Sequence, residues 1–526
     1  VFLPGNLGQG GLLSDRDREQ FAEQKFSLSP GAKEKTYTQK FYLYMNLTKP
    51  SEKLYLSYSK TSADGKGLRP AYLIQDLKRM YPKLEVIEEE KKSLSEKEMT
   101  WMQGAEYLVD GLAQRQYGLS DEWKELYSWY FEQEKNQENP LVLQRILDAA
   151  FYKKEKEQLK KETAKDLYGN TERVSVTRLE RFSSCAYAHF LTYGLRLSER
   201  ERYQFEAMDL GNIAHQSMER FARKADDIQV DWTAMSEEVK ERFIQESVEE
   251  SILEYGNTVL YSTARNEYTI TRIKNLIQRS VWALTKQMAE SDFRPSLYEF
   301  NFGSGKIDRI DTCEDENGVY VKVTDYKTGM KAFDITAFYH GLQIQLPVYL
   351  NAALDVEQKR HKGKEIIPAG IFYYRMQDPI VDKEEDDEVL EGKILKELRL
   401  DGLVNADEIV VEHLQHNLEG TSNYIPVSKT KSGALSKISK ALYPEEFLEF
   451  LDYTKKLEAK LKGKIADGEV QAEPYEMGGA TGCDYCAYRA ICGFDTRIEG
   501  YEYRRLEKYS KEDVLEKIHI AAQEER

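Results

Sequence analysis

The stretch GKIDRIDTCEDENGVYVKVTDYKTG, residues 305–329, decides the fold. Apolar and polar residues alternate on both sides of the central turn DENG, a pattern that predicts a β-hairpin. Asp308 lies on the first predicted strand and Asp325 near the end of the second, with Lys327 two residues later. Because residues two apart on a strand point to the same face, Asp325 and Lys327 should project together. Asp308 should reach the same space from the neighbouring strand.

These three side chains are of the kinds found at a catalytic metal site. Converging carboxylates repel each other unless a cation lies between them, and their oxygens are the ligands that Mg²⁺ and Mn²⁺ prefer. A lysine beside such a site can orient an attacking water and offset charge on a phosphate. Asp308, Asp325 and Lys327 therefore predict metal-assisted phosphodiester hydrolysis. The alternative at this point is a surface hairpin with ordinary charges.

Four motifs in a fixed order extend this prediction. They are GNIAHQSMERF, GKID, DYKTG and QLPVY, and their order resembles that of the PD-(D/E)XK nucleases of the RecB type. The resemblance implies that His215 is a further metal ligand and that Tyr326 lends its backbone carbonyl. It also implies that Gln345 and Tyr349, four apart and so on one helical face, orient the DNA strand near the metal.

The resemblance also assigns roles within the hairpin. Asp308 and Asp325 would hold the metal, and Lys327 would position the water or stabilise the pentavalent charge. Glu299 is a further candidate, with a solvated strand residue as the open alternative. His189 and His340 have no motif support and are interpreted as ordinary residues.

The predicted fold class is α/β. We expect a RecB-like nuclease core, a mixed sheet flanked by helices, over residues 166–500, and a tail with a final helix over 501–526. Within the core the patterns predict strands over 306–312, 319–325 and 369–374, and helices over 175–190, 209–223, 335–354 and 443–462. Residues 1–165 are predicted to alternate strands, among them 1–3 and 54–58, with helices, and LYLSYSKTSADGKGLRPAYLI resembles a strand and loop of superfamily 1 helicases. The chain has no G-x-x-x-x-G-K-[ST] loop, so this segment is expected to be a degenerate, inactive motor. It begins in the strand-like VFLPG and is therefore expected to be part of a longer protein.

The cysteines predict a second, separate metal centre. Cys483, Cys486 and Cys492 lie within GCDYCAYRAIC, and three thiols so close together argue for a metal rather than for disulfides. Cys185 and Cys313 are the two candidates for a fourth ligand, and four thiolates suit zinc.

A lone upstream cysteine and a C-terminal C-x₂-C-x₅-C around a RecB-type core resemble the iron–sulfur nucleases. That resemblance implies a structural [4Fe–4S] cluster held by Cys185, Cys483, Cys486 and Cys492, with zinc as the alternative. Cys313 would then be a small strand residue.

Composition bounds the class of protein. The chain has 526 residues and 41% hydrophobic residues, which is typical of a globular protein with more than one domain. No apolar run approaches the ~18–20 residues of a membrane span. The net charge of −16 suggests that another subunit supplies part of the grip on DNA. The basic segment 421–444 is an exception, either a local DNA contact or a solvated loop.

The order of motor-like region, lone cysteine, nuclease motifs and cysteine knot resembles the B subunits of the bacterial ATP-dependent helicase/deoxyribonuclease (AddB type). This implies a cytoplasmic DNA exonuclease subunit that acts on a single strand from an unwound duplex. It also implies a helicase-nuclease A subunit as heterodimer partner, a role in resecting double-strand breaks, and no membrane. The alternatives are a non-catalytic scaffold that binds single-stranded DNA or reads Chi, a zinc-stabilised assembly scaffold, and a stand-alone iron–sulfur nuclease of another RecB-like group.

Overall fold

The computed structural model describes residues 13–26, 28–62, 67–88, 99–114, 118–135, 141–169, 174–200, 205–255 and 258–523. The chain divides into two compact units, Val1–Phe151 and Tyr152–Arg526. The division falls before the boundary at 165 expected from sequence. Ala164 and Tyr168, which lie around that expected boundary, are both buried in a core of the second unit.

Helices make up the first unit where it is described. They are α1 (Asp15–Glu23), α2 (Ala32–Leu47), α3 (Tyr72–Met80), α4 (Trp101–Ala113), α5 (Asp121–Lys135) and α6 (Val142–Ala150). A small core lies where α4, α5 and α6 meet, around Leu108, Tyr130 and Ile146.

The strand predicted at 54–58 is wrong. That segment is irregular, and Tyr55 is 83% exposed, so no strand or core among the described residues covers it. The described residues of this unit therefore do not form the expected α/β layer. The strand predicted at 1–3 lies outside the described residues, and the helicase-like assignment stays a prediction.

A six-stranded mixed sheet lies at the centre of the second unit, as predicted. Its strands, in spatial order, are β1 (Arg294–Asn301), β2 (Lys306–Glu314), β3 (Val319–Lys327), β4 (Ile366–Arg375), β5 (Asp401–Asn405) and β6 (Ala441–Leu442). The predicted hairpin is β2–β3, which pairs antiparallel, whereas β3–β4 and β5–β6 pair parallel.

Helices cover both faces of this sheet. The helices of the second unit are α7 (Lys161–Tyr168), α8 (Val176–Ser184), α9 (Ala186–His189), α10 (Ala207–Asp227), α11 (Glu237–Glu254), α12 (Ala264–Ala289), α13 (Ile335–Tyr339), α14 (Gln345–Arg360), α15 (Asp387–Glu397), α16 (Glu408–Leu414), α17 (Pro444–Ala466), α18 (Arg489–Cys492) and α19 (Lys511–Gln523). A smaller sheet follows α17, made of β7 (Tyr475–Met477), β8 (Ala480–Thr481) and β9 (Arg504–Arg505).

The alternation along β3 explains why two cores form. Val321 and Val323 face α8, α14 and α17, whereas Tyr320 and Tyr326 face α10 and α12. Every residue of β3 except its last is buried, because both faces of the strand are covered.

Two helices predicted as continuous are broken in the structure. The one predicted over 335–354 divides into α13 and α14, where Gly341 has φ +80° and the Oγ of Ser183 lies 2.7 Å from the position of a Cβ, so only glycine fits without strain. The one predicted over 175–190 breaks at Cys185, whose backbone is extended with φ −164°. Both breaks lie beside functional candidates.

Candidate active site

The hairpin register brings the two predicted acids together. Arg309 on β2 pairs with Thr324 on β3, so the next position along the register sets Asp308 opposite Asp325. Both carboxylates are buried, with side-chain exposures of 10% and 3%. The pair lies at the end of the sheet where β3 finishes.

Helix α10 brings His215, the histidine of the GNIAHQSMERF motif, to this pair. The Nδ1 atom of His215 lies 3.2 Å from Oδ2 of Asp308, and the imidazole packs edge-on against the ring of Tyr326. One ligand atom from each of His215, Asp308 and Glu299 lies within 4.8 Å of the others. Among the described residues this is the only group of three or more His, Cys, Asp or Glu side chains so closely placed.

Glu299, only an alternative in the sequence, is thus a full member of this group. It lies on β1 opposite Asp308 with φ +49°, a conformation that costs free energy for any residue except glycine. Its Oε2 lies 2.5 Å from the ammonium of Lys306. A strained backbone that directs a carboxylate towards another carboxylate is typical of a functional position.

Asp325 has a second set of partners on the side of α14. Lys327 forms an ion pair with it. The Nε2 of Gln345 donates to Oδ1 of Asp325 over 3.1 Å and contacts the hydroxyl of Tyr349 at 2.9 Å. Gln345 and Tyr349, one turn apart on α14, therefore lie at the acid pair, as the motif predicted.

The pKa values of the site residues are shifted because several buried carboxylates lie close together. Burial raises the pKa of Asp325 to about 7, and the charge of Asp308 adds to that rise. The pKa of Glu299 is also raised, first by burial and then by Asp308. Burial lowers the pKa of His215, but its hydrogen bond to Asp308 and the neighbouring carboxylates outweigh burial, so the net shift is upward. A bound divalent cation would relieve all three shifts at once, so this donor set fits Mg²⁺ or Mn²⁺.

Tyr326 contacts the site through its backbone and its ring. Its N–H donates to Oδ2 of Asp308 over 2.7 Å, and its buried side chain, on the face that packs against α10, meets the imidazole of His215. The predicted role of its carbonyl stays a prediction.

A cavity of about 620 Å³ opens over the histidine side of the site. Its lining includes Gly211, His215, Glu219, Glu299, Lys306 and Thr328. The cavity gives a substrate access to the same carboxylates from solvent.

The cysteines are arranged around the break after α8. Cys185 lies at the N-cap position of α9, with its sulfur near the backbone N–H groups of Tyr187 and Ala188. Burial raises the pKa of Cys185 to about 11, and the nearby thiols of Cys483 and Cys486 contribute in the same direction. Burial raises the pKa of Cys483, and the nearby thiols of Cys486 and Cys492 contribute in the same direction. The four predicted cysteines therefore lie near one another.

Positive charge surrounds these sulfurs. The Nη2 of Arg181 lies 3.8 Å from Sγ of Cys486, and the charges of Arg489 and Arg504 act on Cys483 and Cys185. Cationic neighbours and N–H donors are what a set of thiolates needs, so the residues present fit a thiolate-bound metal centre.

Cys313 lies elsewhere, buried at the far end of β2 beside Asp292 and Asp315. Burial raises its pKa to about 12. This position agrees with the prediction of a small strand residue.

The two histidines interpreted as ordinary lie outside the acid cluster. His189 is buried and accepts a hydrogen bond from Nε of Arg178, and Nε2 of His340 lies 3.0 Å from the carbonyl oxygen of Glu507.

The central hairpin of the mixed sheet presents two acids and a lysine, and a histidine on one helix and a glutamine–tyrosine pair on another face them. This arrangement defines a nuclease fold. The sequence profile of the PD-(D/E)XK nuclease superfamily matches residues 173–493. The chain belongs to that superfamily.

Curated relatives extend the similarity beyond the nuclease core. The chain is 37% identical over 522 residues to the B subunit of the ATP-dependent helicase/deoxyribonuclease of Lachnoclostridium phytofermentans, covering 96% of this chain and 45% of the relative. It is 32% identical over 542 residues to the protein of the same name from Alkaliphilus oremlandii, covering 98% and 47%. The chain therefore spans about half the length of the curated relatives it matches. In the described part of the chain, no helix has the length and apolar character needed to cross a bilayer.

Sequence patterns did not indicate two further residues beside the site, Glu180 and Lys331. Glu180, on α8, accepts hydrogen bonds from the backbone N–H groups of Ile344 and Gln345 at 2.9 and 3.1 Å. These contacts join positions 164 and 165 apart in the chain, so no local spacing could have predicted them.

Proposed function

We propose that this chain carries the nuclease of a B-type component of an ATP-dependent helicase/deoxyribonuclease and hydrolyses phosphodiester bonds on one strand of DNA. The observation that carries the proposal is the convergence of Asp308, Asp325 and Lys327 at one end of the central sheet. An acid pair in a buried setting, with a cation-binding histidine and a lysine at its edge, favours metal-assisted hydrolysis over simple binding.

The residues divide into a group that holds a metal and a group that handles the DNA. His215, Glu299, Asp308 and Asp325 would hold Mg²⁺ or Mn²⁺. When bound, such an ion polarises a phosphate and lowers the pKa of a water ligand.

The other group lies on the α14 side of the acid pair. Lys327 is 23% exposed, so its ammonium can orient a water or offset charge that develops on the phosphate. Gln345 fixes the orientation of Asp325 and of the Tyr349 hydroxyl, which places both beside a bound strand.

The proposal includes a [4Fe–4S] cluster on Cys185, Cys483, Cys486 and Cys492. One upstream cysteine and a C-terminal C-x₂-C-x₅-C around the nuclease core support the cluster, with zinc as the alternative metal for four thiolates. The cluster's role would be structural.

Partners follow from charge and from the relatives. The chain carries a net charge of −16 and the relatives are named as B subunits, so we propose a helicase-nuclease A subunit that supplies ATP-driven unwinding and part of the DNA grip. The substrate would be a single strand from an unwound duplex, degraded as an exonuclease during resection of double-strand breaks in the bacterial cytoplasm.

Degradation of end-labelled single-stranded DNA by the complete heterodimer tests this proposal. The A subunit carries an inactivated nuclease site in this assay, so that any remaining cleavage belongs to this chain. We expect the labelled strand to become shorter with Mg²⁺ and to keep its full length with a chelator. Binding of the strand without shortening in Mg²⁺ or Mn²⁺ would favour the non-catalytic scaffold instead.

A further inference from the structure

A second lysine, Lys331, lies at the same end of the sheet as the acid pair. It follows β3 in the segment that leads to α13. Its ammonium lies 5.1 Å from the centre of the Tyr373 ring, and the ammonium of Lys327 lies 5.6 Å from the centre of the same ring. Tyr373 on β4 pairs with Asp325 on β3. One aromatic ring thus holds both lysines next to the catalytic acid.

The two lysines differ in their charge partners. Lys327 is neutralised by its ion pair with Asp325. Among the described residues, no carboxylate oxygen lies within 4 Å of the ammonium of Lys331. The acid that acts on it most strongly is Glu180, whose carboxylate is already engaged by the N–H groups of Ile344 and Gln345.

The ammonium of Lys331 has too little negative charge around it to offset its partial burial. Lys331 is partly buried, and burial lowers its pKa while the charge of Glu180 raises it only in part. Removing an ammonium from water without an ion-pair partner costs free energy that a bound anion can offset. The anion that a nuclease site meets is the phosphodiester backbone.

We propose that Lys331 binds a backbone phosphate of the DNA strand next to the phosphate that is cut, and so sets the register of the strand on the acid pair. The inference rests on the proposed nuclease function. Lys327 acts on the scissile phosphate, whereas Lys331 acts on affinity through one additional charge contact. Tyr373 fixes the direction of both ammonium groups, and the carboxylate of Glu180 limits how far Lys331 can move.

The variants Lys331→Met and Lys331→Arg in the complete heterodimer test this role. The A subunit again carries an inactivated nuclease site. The measurements are kcat and KM for single-stranded DNA at several salt concentrations. We expect Lys331→Met to raise KM roughly five- to tenfold with kcat within about twofold, because one phosphate contact is lost. The slope of log affinity against log salt should fall by about 0.7. Lys331→Arg should keep most of the affinity.

Lys362→Met is the matched control. Lys362 is an exposed lysine just beyond the C-terminal end of the 16-residue helix α14, about 24 Å along the axis from Gln345, so its loss should leave KM unchanged. Equal thermal melting of parent and variants shows that folding is intact.

Three results separate the possible failures. A parental KM and salt slope for Lys331→Met overturns the proposal. A lower kcat at unchanged KM also overturns it, since Lys331 would then act on the chemical step. If parent, control and variants all bind the strand but none cuts it, the proposed nuclease function fails, while the salt slope still decides whether Lys331 contacts phosphate.

Discussion

Asp308 connects the two halves of the site, because it contacts His215 through its carboxylate, accepts from the backbone of Tyr326, and lies between Glu299 and Asp325 on adjacent strands. Its charge raises the pKa of both neighbouring acids. Without a cation these groups repel one another, so the site stores unfavourable electrostatic free energy that a divalent ion releases.

Glu299→Gln tests whether this residue holds metal. The substitution removes a charge but keeps the shape, so the Mg²⁺ concentration for half-maximal cleavage should rise about tenfold or more, with little change in thermal stability. A titration of cleavage rate with Mg²⁺ measures this midpoint. Glu314→Gln, an exposed acid at the other end of β2, is the control and should not shift it. An unchanged midpoint for Glu299→Gln would show that its carboxylate serves only Lys306.

Single residues were predictable where the chemistry lies within one hairpin or one helical turn. Asp308, Asp325 and Lys327 follow from strand alternation, whereas Gln345 and Tyr349 were indicated by the resemblance of QLPVY to the RecB-type motif. Glu299 could not be established this way, because its approach to Asp308 depends on a positive φ that no pattern of residue types reveals. The position of Lys331 depends on Tyr373, which belongs to another strand.

At the scale of elements, helix α8 joins the acid pair to the cysteine centre, which is formed by Cys185, Cys483, Cys486 and Cys492. The helix ends at Ser184, next to Cys185, and Glu180 on the same helix accepts from the first N–H groups of α14. Since α14 carries Gln345 and Tyr349, the position of α8 controls how these side chains meet Asp325. The cysteine centre is thereby connected mechanically to the site.

Glu180→Ala should weaken this connection. Two N–H groups lose a charged acceptor, which costs about 2–3 kcal/mol of unfolding free energy, and kcat should fall about tenfold as Gln345 loses its position. Glu180→Gln keeps one acceptor oxygen and should recover part of both. Chemical unfolding and single-stranded DNA cleavage measure the two effects. Thr177→Ala, on the exposed side of α8, should change neither. Parental kcat in Glu180→Ala would contradict the coupling between α8 and α14.

Elements were predicted well where periodicity is strong and poorly where the chain turns for a tertiary reason. The strands β2, β3 and β4 and the helices α10, α17 and α19 lie close to their predicted positions. The helix breaks at Gly341 and Cys185 could not be predicted, because both depend on residues far away in the sequence. Gly341 is approached closely by Ser183, and at Cys185 the extended backbone brings the thiol near Cys483 and Cys486.

At the scale of the whole molecule, a metal bound by the cysteine centre would join the two ends of the nuclease unit. Cys185 precedes the central sheet and Cys483, Cys486 and Cys492 follow it, so one bound metal centre would tie together both ends of the core. Closing a loop of this length stabilises the folded state by about 5 kcal/mol if the estimate for disulfides applies. Loss of the centre should therefore affect the whole unit rather than one loop.

Cys185→Ala should remove the visible absorption of an iron–sulfur cluster and destabilise the nuclease unit far beyond the ~1 kcal/mol of an average substitution. Anaerobic purification, iron and zinc analysis and thermal melting measure these effects. Cys313→Ala is the control and should keep the absorption. Stoichiometric zinc in iron-replete, oxygen-free protein, or loss of absorption in the Cys313 variant, would contradict the cluster assignment.

The organisation of the whole chain was only partly predictable. The nuclease core could be predicted because its motifs follow a fixed order along the chain. The first unit could not, because its described elements are helices with a small core only where α4, α5 and α6 meet, whereas short apolar runs such as 54–58 resemble strands in isolation. A short apolar run acquires a structure only from the neighbour that covers it.

The central claim is that the site formed by the acids of this chain hydrolyses DNA. The most direct test measures strand shortening by the complete heterodimer that carries Asp308→Asn in this chain and an inactivated nuclease site in the A subunit. With Mg²⁺, we predict that shortening of the strand falls by roughly 100-fold or more, while DNA binding, ATP-driven unwinding and the cluster's absorption stay at the parental level. Shortening of that strand at the parental rate by the Asp308→Asn complex would contradict the account.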